Sequence, residues 1–425
     1  MTEQEAISYL HSLGRLGPAA GLARITRLME LLGNPQKELR FVHVAGTNGK
    51  GSTCAMTASI LRKAGYRTGL YISPYIVTFR ERIQLDGEMI PPEELAWAVE
   101  RVQAAVEQMR AEGTPPVEFE AVTATALLWY AKAKVDVVVL EVGLGGRFDA
   151  TNVIPCPLCT VITPIGLDHT ELLGDTLAAI AGEKCGIIKE GGVTVTATQD
   201  PEALAVIMET CARRGNPLIS GNRQAVRVLG EDFTGTRLQY GELELTLPLL
   251  GDYQVDNCVT AVETARLLNR RGLTVPDQAI VEGIAAVRWP ARMELLQQEP
   301  FVLLDGAHNQ AGAEALARSL TRLGAGKATM ICGMLADKDW HGAVSRFLPF
   351  AQELLAVTPQ SPRALPAEKL AAFAREEGVP ARPCADGREA WRLAREKGTP
   401  VIICGSLYLA AELREVVLTD LQKSR

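Results

Sequence analysis

A strand-like run, FVHVA, followed by GTNGKGST and then an apolar segment of helical spacing, narrows the folds open to this 425-residue chain more than any other stretch. Glycine tolerates backbone angles closed to other residues, so Gly46, Gly49 and Gly51 let the chain wrap closely round an anion. The following helix aims unpaired N–H groups at that anion, and Lys50 adds a point charge for the outer phosphates. A glycine-rich turn with a solvated lysine is the plainer reading, but the strand before the loop and the helix after it favour a nucleoside triphosphate site. The spacing departs from the general GxxxxGK[ST] pattern, because Gly51 stands between Lys50 and the hydroxyls and the leading glycine is closer. Ser52 and Thr53 are therefore both candidates to meet Mg²⁺.

Such a loop belongs to an α/β fold. Short apolar runs at residues 41–44, 68–72, 135–142, 159–162 and 193–196 alternate with helical spacing at 52–64, 92–111, 118–133 and 176–188. This alternation predicts a parallel sheet with helices on both faces. Residues 223–250 alternate polar and apolar, which predicts a small antiparallel addition. A second α/β series starts at PFVLLDGAHN, runs through ATMICGML and ELLAVTP, and ends at PVIICGSLYLA. The polar, Pro-containing stretch 297–300 puts the boundary between an ATP-binding domain at 1–296 and a smaller C-terminal domain at 297–425. Length alone asks for two or three domains, being too great for one ordinary core.

Hydrophobic residues make up 47 % of the chain and charged residues 22 %, enough to bury such cores. A net charge of −6 supplies no basic face for nucleic acid or an anionic membrane, so neither partner is expected. No apolar run reaches spanning length, and the acidic start MTEQEA lacks a secretory h-region, so a cytoplasmic protein is expected. One of the nine cysteines is left over in any internal pairing scheme and most lie in apolar segments, which reads as buried reduced thiols. Cys156 and Cys159 form CPLC; with no second pair at zinc spacing they are read as packing.

In open α/β sheets, ligands bind beyond the carboxyl ends of the strands. The phosphate loop follows the first strand, Ser73 the second, Glu141 closes DVVVLE, and Asp168 and His169 follow VITPIG. A carboxylate ending an apolar run is costly unless it is paired or bound to a cation. Mg²⁺ fits there, since it takes one or two protein oxygens and completes its shell with phosphates and water. His169 alone is more often structural; its place on this rim points to metal or substrate. By spacing alone, Lys184 in GEKCGIIKE is a salt-bridging helix residue.

Taken in order, GTNGKGST, SPYIVTFRERI, EVGLGGRFDATNV, ITPIGLDHTELLGDTLAAIAGEKCGIIK, GDYQVDN, WPARMEL, DGAHN and GMLADKD cover nearly the whole chain. Together they resemble folylpolyglutamate synthase and its bifunctional relative dihydrofolate synthase, of the Mur ligase superfamily. The resemblance implies an N-terminal ATPase domain and a C-terminal Rossmann-like domain closing over a cleft. It also implies ATP with two Mg²⁺ sites, folate or dihydropteroate and L-glutamate as substrates, and a monomer. By motif, Gly46, Thr47, Asn48, Gly49, Lys50, Gly51 and Ser52 resemble the nucleotide loop, Asn257 the adenine contact, Arg292 a phosphate contact and Asp305 a residue facing the nucleotide. Ser52, Ser73, Glu141 and His169 resemble the metal side. Lys184 matches a lysine carbamylated in many members; a carbamate makes that cation an oxygen ligand for the second Mg²⁺ and displaces the salt-bridge reading. Arg82, Tyr75, His308, Ser406 and Tyr408 fall on the substrate side, and Lys50, Lys184 and His308 are the expected catalytic groups. Two departures stand out: Tyr75 where the family usually has His, and DGAHNQAG for DGAHNPHG.

A carboxylate and an amine do not condense in water, since hydroxide is a poor leaving group. The expected route is transfer of the γ-phosphate to the acceptor carboxylate, then attack of the glutamate α-amine on the acyl phosphate. That route needs positioning and charge neutralisation more than a protein nucleophile. Two rivals share the loop. A cell-wall Mur ligase needs a separate UDP-binding domain ahead of it, for which 45 residues leave no room. A nucleotide-dependent switch has no use for a second α/β domain with polar strand ends.

Overall fold

The computed structural model describes residues 1–14, 21–197 and 199–423. Two compact units divide the chain. The first comprises Met1–Arg227, Tyr240–Leu245 and Val255–Val287; the second comprises Val228–Gln239, Thr246–Gln254 and Arg288–Arg425.

In chain order the first unit starts with α1 (Glu3–Ser12), α2 (Ala23–Leu31), β1 (Phe41–Ala45), α3 (Lys50–Lys63), β2 (Thr68–Tyr71), β3 (Ile83–Leu85) and β4 (Glu88–Met89). It continues through α4 (Pro92–Ala111), α5 (Glu118–Lys132), β5 (Val137–Glu141), β6 (Cys159–Ile162), α6 (Thr170–Leu173) and α7 (Leu177–Lys184). β7 (Thr194–Thr196), α8 (Pro201–Arg213) and β8 (Leu218–Ser220) complete its sheet, in the order β4-β3-β2-β5-β1-β6-β7-β8. The pairs from β2 through β8 are parallel, while β3 and β4 add an antiparallel edge. Every residue of β1, β5 and β6 is buried, which is why these strands read as unbroken apolar runs rather than as alternation. One core gathers residues of α1, α2, α4 and α5; another, around Ala45, Val142 and Ile162, gathers residues of α7 and α8. Register places Val44 beside both Glu141 and Val161, so the carboxyl ends of β1, β5 and β6 lie level.

β9 (Val226–Asp232), β10 (Gly235–Tyr240) and β11 (Leu243–Leu247) form a three-stranded sheet whose residues are shared between the two units. α9 (Asp252–Asn269) and α10 (Asp277–Ala286) follow.

The second unit contains β12 (Glu294–Gln297), β13 (Val302–Leu304), α11 (Gln310–Arg322), β14 (Ala328–Cys332), α12 (Trp340–Phe347) and β15 (Ala351–Ala356). It ends with α13 (Ala367–Glu376), β16 (Ala381–Pro383), α14 (Gly387–Arg395), β17 (Val401–Cys404) and α15 (Leu407–Gln422). The sheet order is β12-β13-β17-β14-β15-β16, parallel except for β12. Met330, Cys332, Ile402 and Cys404 join the core with α11, α12 and α13. Ile331 and Ile403 point the other way by strand alternation, toward the face where α14 and α15 pack together.

Both units are α/β, with the antiparallel strands inside 223–250 where alternation placed them. The helix expected over 176–188 stops at Lys184 and tightens into a 3₁₀ turn, Cys185–Ile187. The units do not coincide with 1–296 and 297–425: β12 pairs antiparallel with β13, and this pairing draws Glu294–Gln297 into the second sheet. Among the described residues no helix is long and apolar enough to cross a membrane.

Candidate active site

The phosphate loop closes over the carboxyl end of β1. Gly46 has φ 154°, and a Cβ there would sit 1.8 Å from Thr163 Oγ1; Gly49, at φ 81°, would set one 2.2 Å from Asn257 Oδ1. Only glycine meets both demands of space and the second of angle. The backbone N–H groups of Thr47 and Asn48 donate to the Pro164 carbonyl, and the Thr47 hydroxyl donates to the Gly166 carbonyl at 3.0 Å. These bonds splice the loop after β1 onto the loop after β6. Lys50, the first residue of α3, donates through Nζ to the Gly46 and Thr47 carbonyls, 3.2 Å each. Ser52 and Thr53 are both buried, Thr53 completely.

Glu141, 5 % exposed, accepts from the Ser73 backbone N–H at 3.1 Å, which joins the ends of β5 and β2. A small cavity is lined by Gly46, Thr47, Lys50, the loop 142–145, Asp168, His169, Leu173 and Lys184. His169 is the N-cap of α6 in the left-handed region, φ 50°, with its ring half exposed beside Asp168. Lys184 reaches the cavity from the last turn of α7. Burial, helped by repulsion from Lys50, lowers its pKa to about 8, against the pull of Asp168 and Asp149. An amine buried in this way is neutral far more readily than a surface lysine. Thus the sequence-derived set Lys50, Asp168, His169 and Lys184 shares one cavity, with Glu141 and Ser73 joined at neighbouring strand ends.

Among the described residues no group of three or more His, Cys, Asp or Glu gathers as a ready metal cage. The donor set fits a hard cation that needs few protein ligands and takes most of its shell from phosphate and water.

On the β2 side, Arg82 lies 5.3 Å from the Tyr75 ring centre and 5.5 Å from that of Phe79. Its Nε is buried with no hydrogen-bond partner. His11 meets Phe79 edge-on and bonds Glu118 at 2.9 Å. This aromatic shelf about a cation was only partly visible in sequence: Tyr75 and Arg82 were singled out from the motif SPYIVTFRERI, which also holds Phe79, whereas His11 carried no signal of its own.

In the second unit, Asp305 is buried and accepts from the Met293 and Ala307 N–H groups, at 2.7 and 2.8 Å. Burial raises its pKa while nearby Arg292 lowers it, burial being the larger effect. Gly306 brings Arg292 into the same turn, since a Cβ there would lie 3.2 Å from its Nη1. His308 Nδ1 pairs with the Gly306 carbonyl at 2.9 Å; donating that proton leaves Nε2 as the acceptor. Ser406 is almost fully buried and caps α15, accepting from the Leu409 N–H; Tyr408, on the first turn of that helix, is 39 % exposed.

Sequence reasoning missed one buried network. Asp149 accepts from the Leu144 and Thr151 N–H groups, at 2.9 and 3.0 Å, and from the Thr151 hydroxyl at 2.5 Å. His43 Nε2 meets the same hydroxyl at 2.9 Å. With the hydroxyl proton given to Asp149, Nε2–H is the donor and Nδ1 is left without a partner. Burial drives the His43 pKa down to about 3, so this ring is neutral. The network fixes the loop lining the cavity; His43, lone in an apolar strand, offered no pattern from which to infer it.

The Mur ligase middle domain matches residues 44–265, and the glutamate ligase domain of Mur ligases matches residues 291–407. The chain is 37 % identical to a folylpolyglutamate synthase of Lacticaseibacillus casei, the alignment covering 98 % of this chain and 99 % of that protein. It is 39 % identical to a dihydrofolate synthase/folylpolyglutamate synthase of Bacillus subtilis, covering 97 % and 98 %. Among solved structures, Mycobacterium tuberculosis folylpolyglutamate synthase complexed with ADP superposes with a TM-score of 0.87 at 33 % identity, covering 98 % of each chain.

Proposed function

Given that the chain belongs to the folylpolyglutamate synthase and dihydrofolate synthase family of Mur ligases, we propose that it uses ATP to join L-glutamate to the free carboxylate of a folate, of dihydropteroate, or of both. The observation that carries this reading is the convergence of the phosphate loop, Lys50, Asp168, His169 and Lys184 on one cavity at the ends of parallel strands.

Backbone N–H groups at the start of α3, from Gly49 to Ser52, receive the phosphates. Lys50 exchanges the Gly46 and Thr47 carbonyls for phosphate oxygens, drawing charge away from the transferring group. Asn257, which packs against Gly49, serves as the contact to the base. The acceptor carboxylate attacks the γ-phosphorus and displaces ADP. The glutamate α-amine then adds to the acyl carbon, the tetrahedral adduct expels phosphate, and an amide remains. Arg82 and Tyr75 serve the acceptor side. Asp305, His308, Ser406 and Tyr408 serve the nucleotide and amino-acid side, with Nε2 of His308, the ring's acceptor, taking the proton the amine loses.

Ser52, Ser73, Glu141 and His169 would hold Mg²⁺, which when bound neutralises phosphate charge in transfer. Were the buried amine of Lys184 to add to CO₂ with loss of a proton, the carbamate would hold a second Mg²⁺ through its oxygens. The enzyme acts as a cytoplasmic monomer.

The test is ADP release with and without L-glutamate, using dihydropteroate and tetrahydrofolate as competing acceptors and mass analysis of the products. Release that depends on glutamate and on one of these acceptors is expected. Lys50→Ala or Glu141→Ala abolishes it while leaving the circular dichroism spectrum unchanged; near-normal turnover by either variant removes the assignment.

A further inference from the structure

We infer that Gln199, which no motif above includes, is a positioning residue for phosphoryl transfer: it holds in place the segment 163–166 on which the phosphate loop is seated. The inference rests on the ATP half of the ligase reading and adds a residue to it.

β6 and β7 run parallel, with Ile162 beside Thr196 at their carboxyl ends. Beyond Ile162 the chain leaves the sheet, and residues 163–166 belong to no helix or strand. Backbone groups in such a stretch need partners from outside it. The Thr163 N–H donates to the Ala45 carbonyl at 2.8 Å, and the Gly166 N–H to the Thr47 hydroxyl at 3.1 Å. Pro164 has no N–H, and its carbonyl accepts from both Thr47 and Asn48. Two further groups go to one side chain from the next strand. Gln199 Oε1 accepts from the Ile165 N–H at 2.9 Å, while Nε2 donates to the Thr163 carbonyl at 3.0 Å. The same nitrogen also faces the Ile162 carbonyl at 3.3 Å and the Thr196 hydroxyl at 3.2 Å. An N–H demands an acceptor, so the bond from Ile165 fixes which way the amide is turned.

The backbone that carries Gln199 is itself anchored. It lies between the end of β7 and Asp200, the N-cap of α8, whose side chain accepts from the Glu202 N–H at 2.9 Å. The segment 163–166 is thus gripped from two sides, by Thr47 of the phosphate loop and by Gln199. A part-buried glutamine that satisfies backbone groups and does no more is the plainer reading. It predicts lost stability with normal chemistry in whatever remains folded. The close fit at Gly46 argues for more. A Cβ there would sit 1.8 Å from Thr163 Oγ1, so the two loops have no slack between them, and a shift of Thr163 displaces the phosphate loop. The same segment leads on past Gly166 to Asp168 and His169, both in the cavity wall. One amide therefore sets the spacing between the phosphate loop and these two groups. Phosphoryl transfer depends on such placement, and a misplacement of about 1 Å costs on the order of 100-fold in rate.

The experiment uses the full chain. It measures the Kd of a non-hydrolysable ATP analogue with Mg²⁺ by calorimetry, and then steady-state ADP release. Gln199→Met keeps the length of the side chain and removes the amide. It is expected to weaken the analogue about 10-fold and to lower kcat by about 10- to 100-fold, with the KM for L-glutamate unchanged. Gln199→Glu keeps an acceptor for Ile165 but turns a carboxylate on the Thr163 carbonyl; it is expected to move Kd and kcat in the same direction and serves if Gln199→Met does not fold. Thr47→Val removes the opposite grip. Because both side chains act through one segment, the double variant weakens the analogue by less than the product of the two single effects. A folded Gln199→Met or Gln199→Glu protein with wild-type Kd and kcat overturns the inference alone, whatever its urea midpoint. Single effects that multiply in the double variant overturn it too, as does an equal rise in the KM for L-glutamate. Absence of glutamate-dependent ADP release from the wild type overturns the ligase reading, and the analogue's Kd then still decides the place of Gln199.

Discussion

His43 illustrates what one buried side chain does to the pH dependence of the whole molecule. Its folded pKa is near 3 against an ordinary 6.5, because burial disfavours the charged ring. Between those values the unfolded chain carries a proton that the folded chain does not. Stability therefore falls as pH drops through this window, at up to about 1.4 kcal/mol per pH unit. His43→Gln keeps an amide donor toward Thr151 and removes the titration. Urea unfolding at pH 7 and pH 5 should show a smaller loss in the variant than in the wild type; equal losses remove His43 as the source. Gly46 belongs to the same scale. Gly46→Ala drives a methyl into Thr163 and is expected to cost at least ~1 kcal/mol of stability and to abolish ADP release. The glycines were legible in sequence as a loop signature. The groups they must avoid, Thr163 and Asn257, come from distant parts of the chain and were not.

At the level of elements, α3 is held by α10 as well as by the sheet. A Cβ on Gly283 of α10 would lie 2.5 Å from the Ile60 Cα, and the Ser59 hydroxyl donates to the Gly283 carbonyl at 2.7 Å. Gly283→Ala must push the helices apart, at a cost on the order of 2 kcal/mol for overpacking against backbone. Since α3 begins at Lys50, the same shift displaces the phosphate loop. The variant is expected to show both a lower urea midpoint and a raised KM for ATP; a raised KM with unchanged stability, or the reverse, breaks this coupling. The long strands β1, β5 and β6 were readable because both of their faces are buried. Three-residue strands such as β8 and β16 were not, because so short a run carries no period.

For the whole molecule, the testable consequence of the nucleotide reading is linkage. A ligand bound only by the folded chain at 100 times its Kd adds about 2.7 kcal/mol of stability. A non-hydrolysable ATP analogue with Mg²⁺ should raise the melting temperature of the wild type and leave that of Gly46→Ala unmoved. Equal shifts in the two proteins place the nucleotide elsewhere. The order of α/β segments, read from the alternation of apolar runs and helical spacing, carried over into both sheets. The division between units did not follow the polar stretch at residue 297, because a hydrogen-bonded partner for β12 outweighs local polarity in deciding where a strand belongs.

By itself the sequence determined the fold class, the phosphate loop and the family, because each depends on local pattern: glycines at fixed offsets, apolar runs of strand length, motifs in a given order. The tertiary structure alone decided which of these residues touch. The lowered pKa of Lys184 and the neutral ring of His43 both come from neighbours remote in the chain, and burial, which no local pattern encodes, sets their charge.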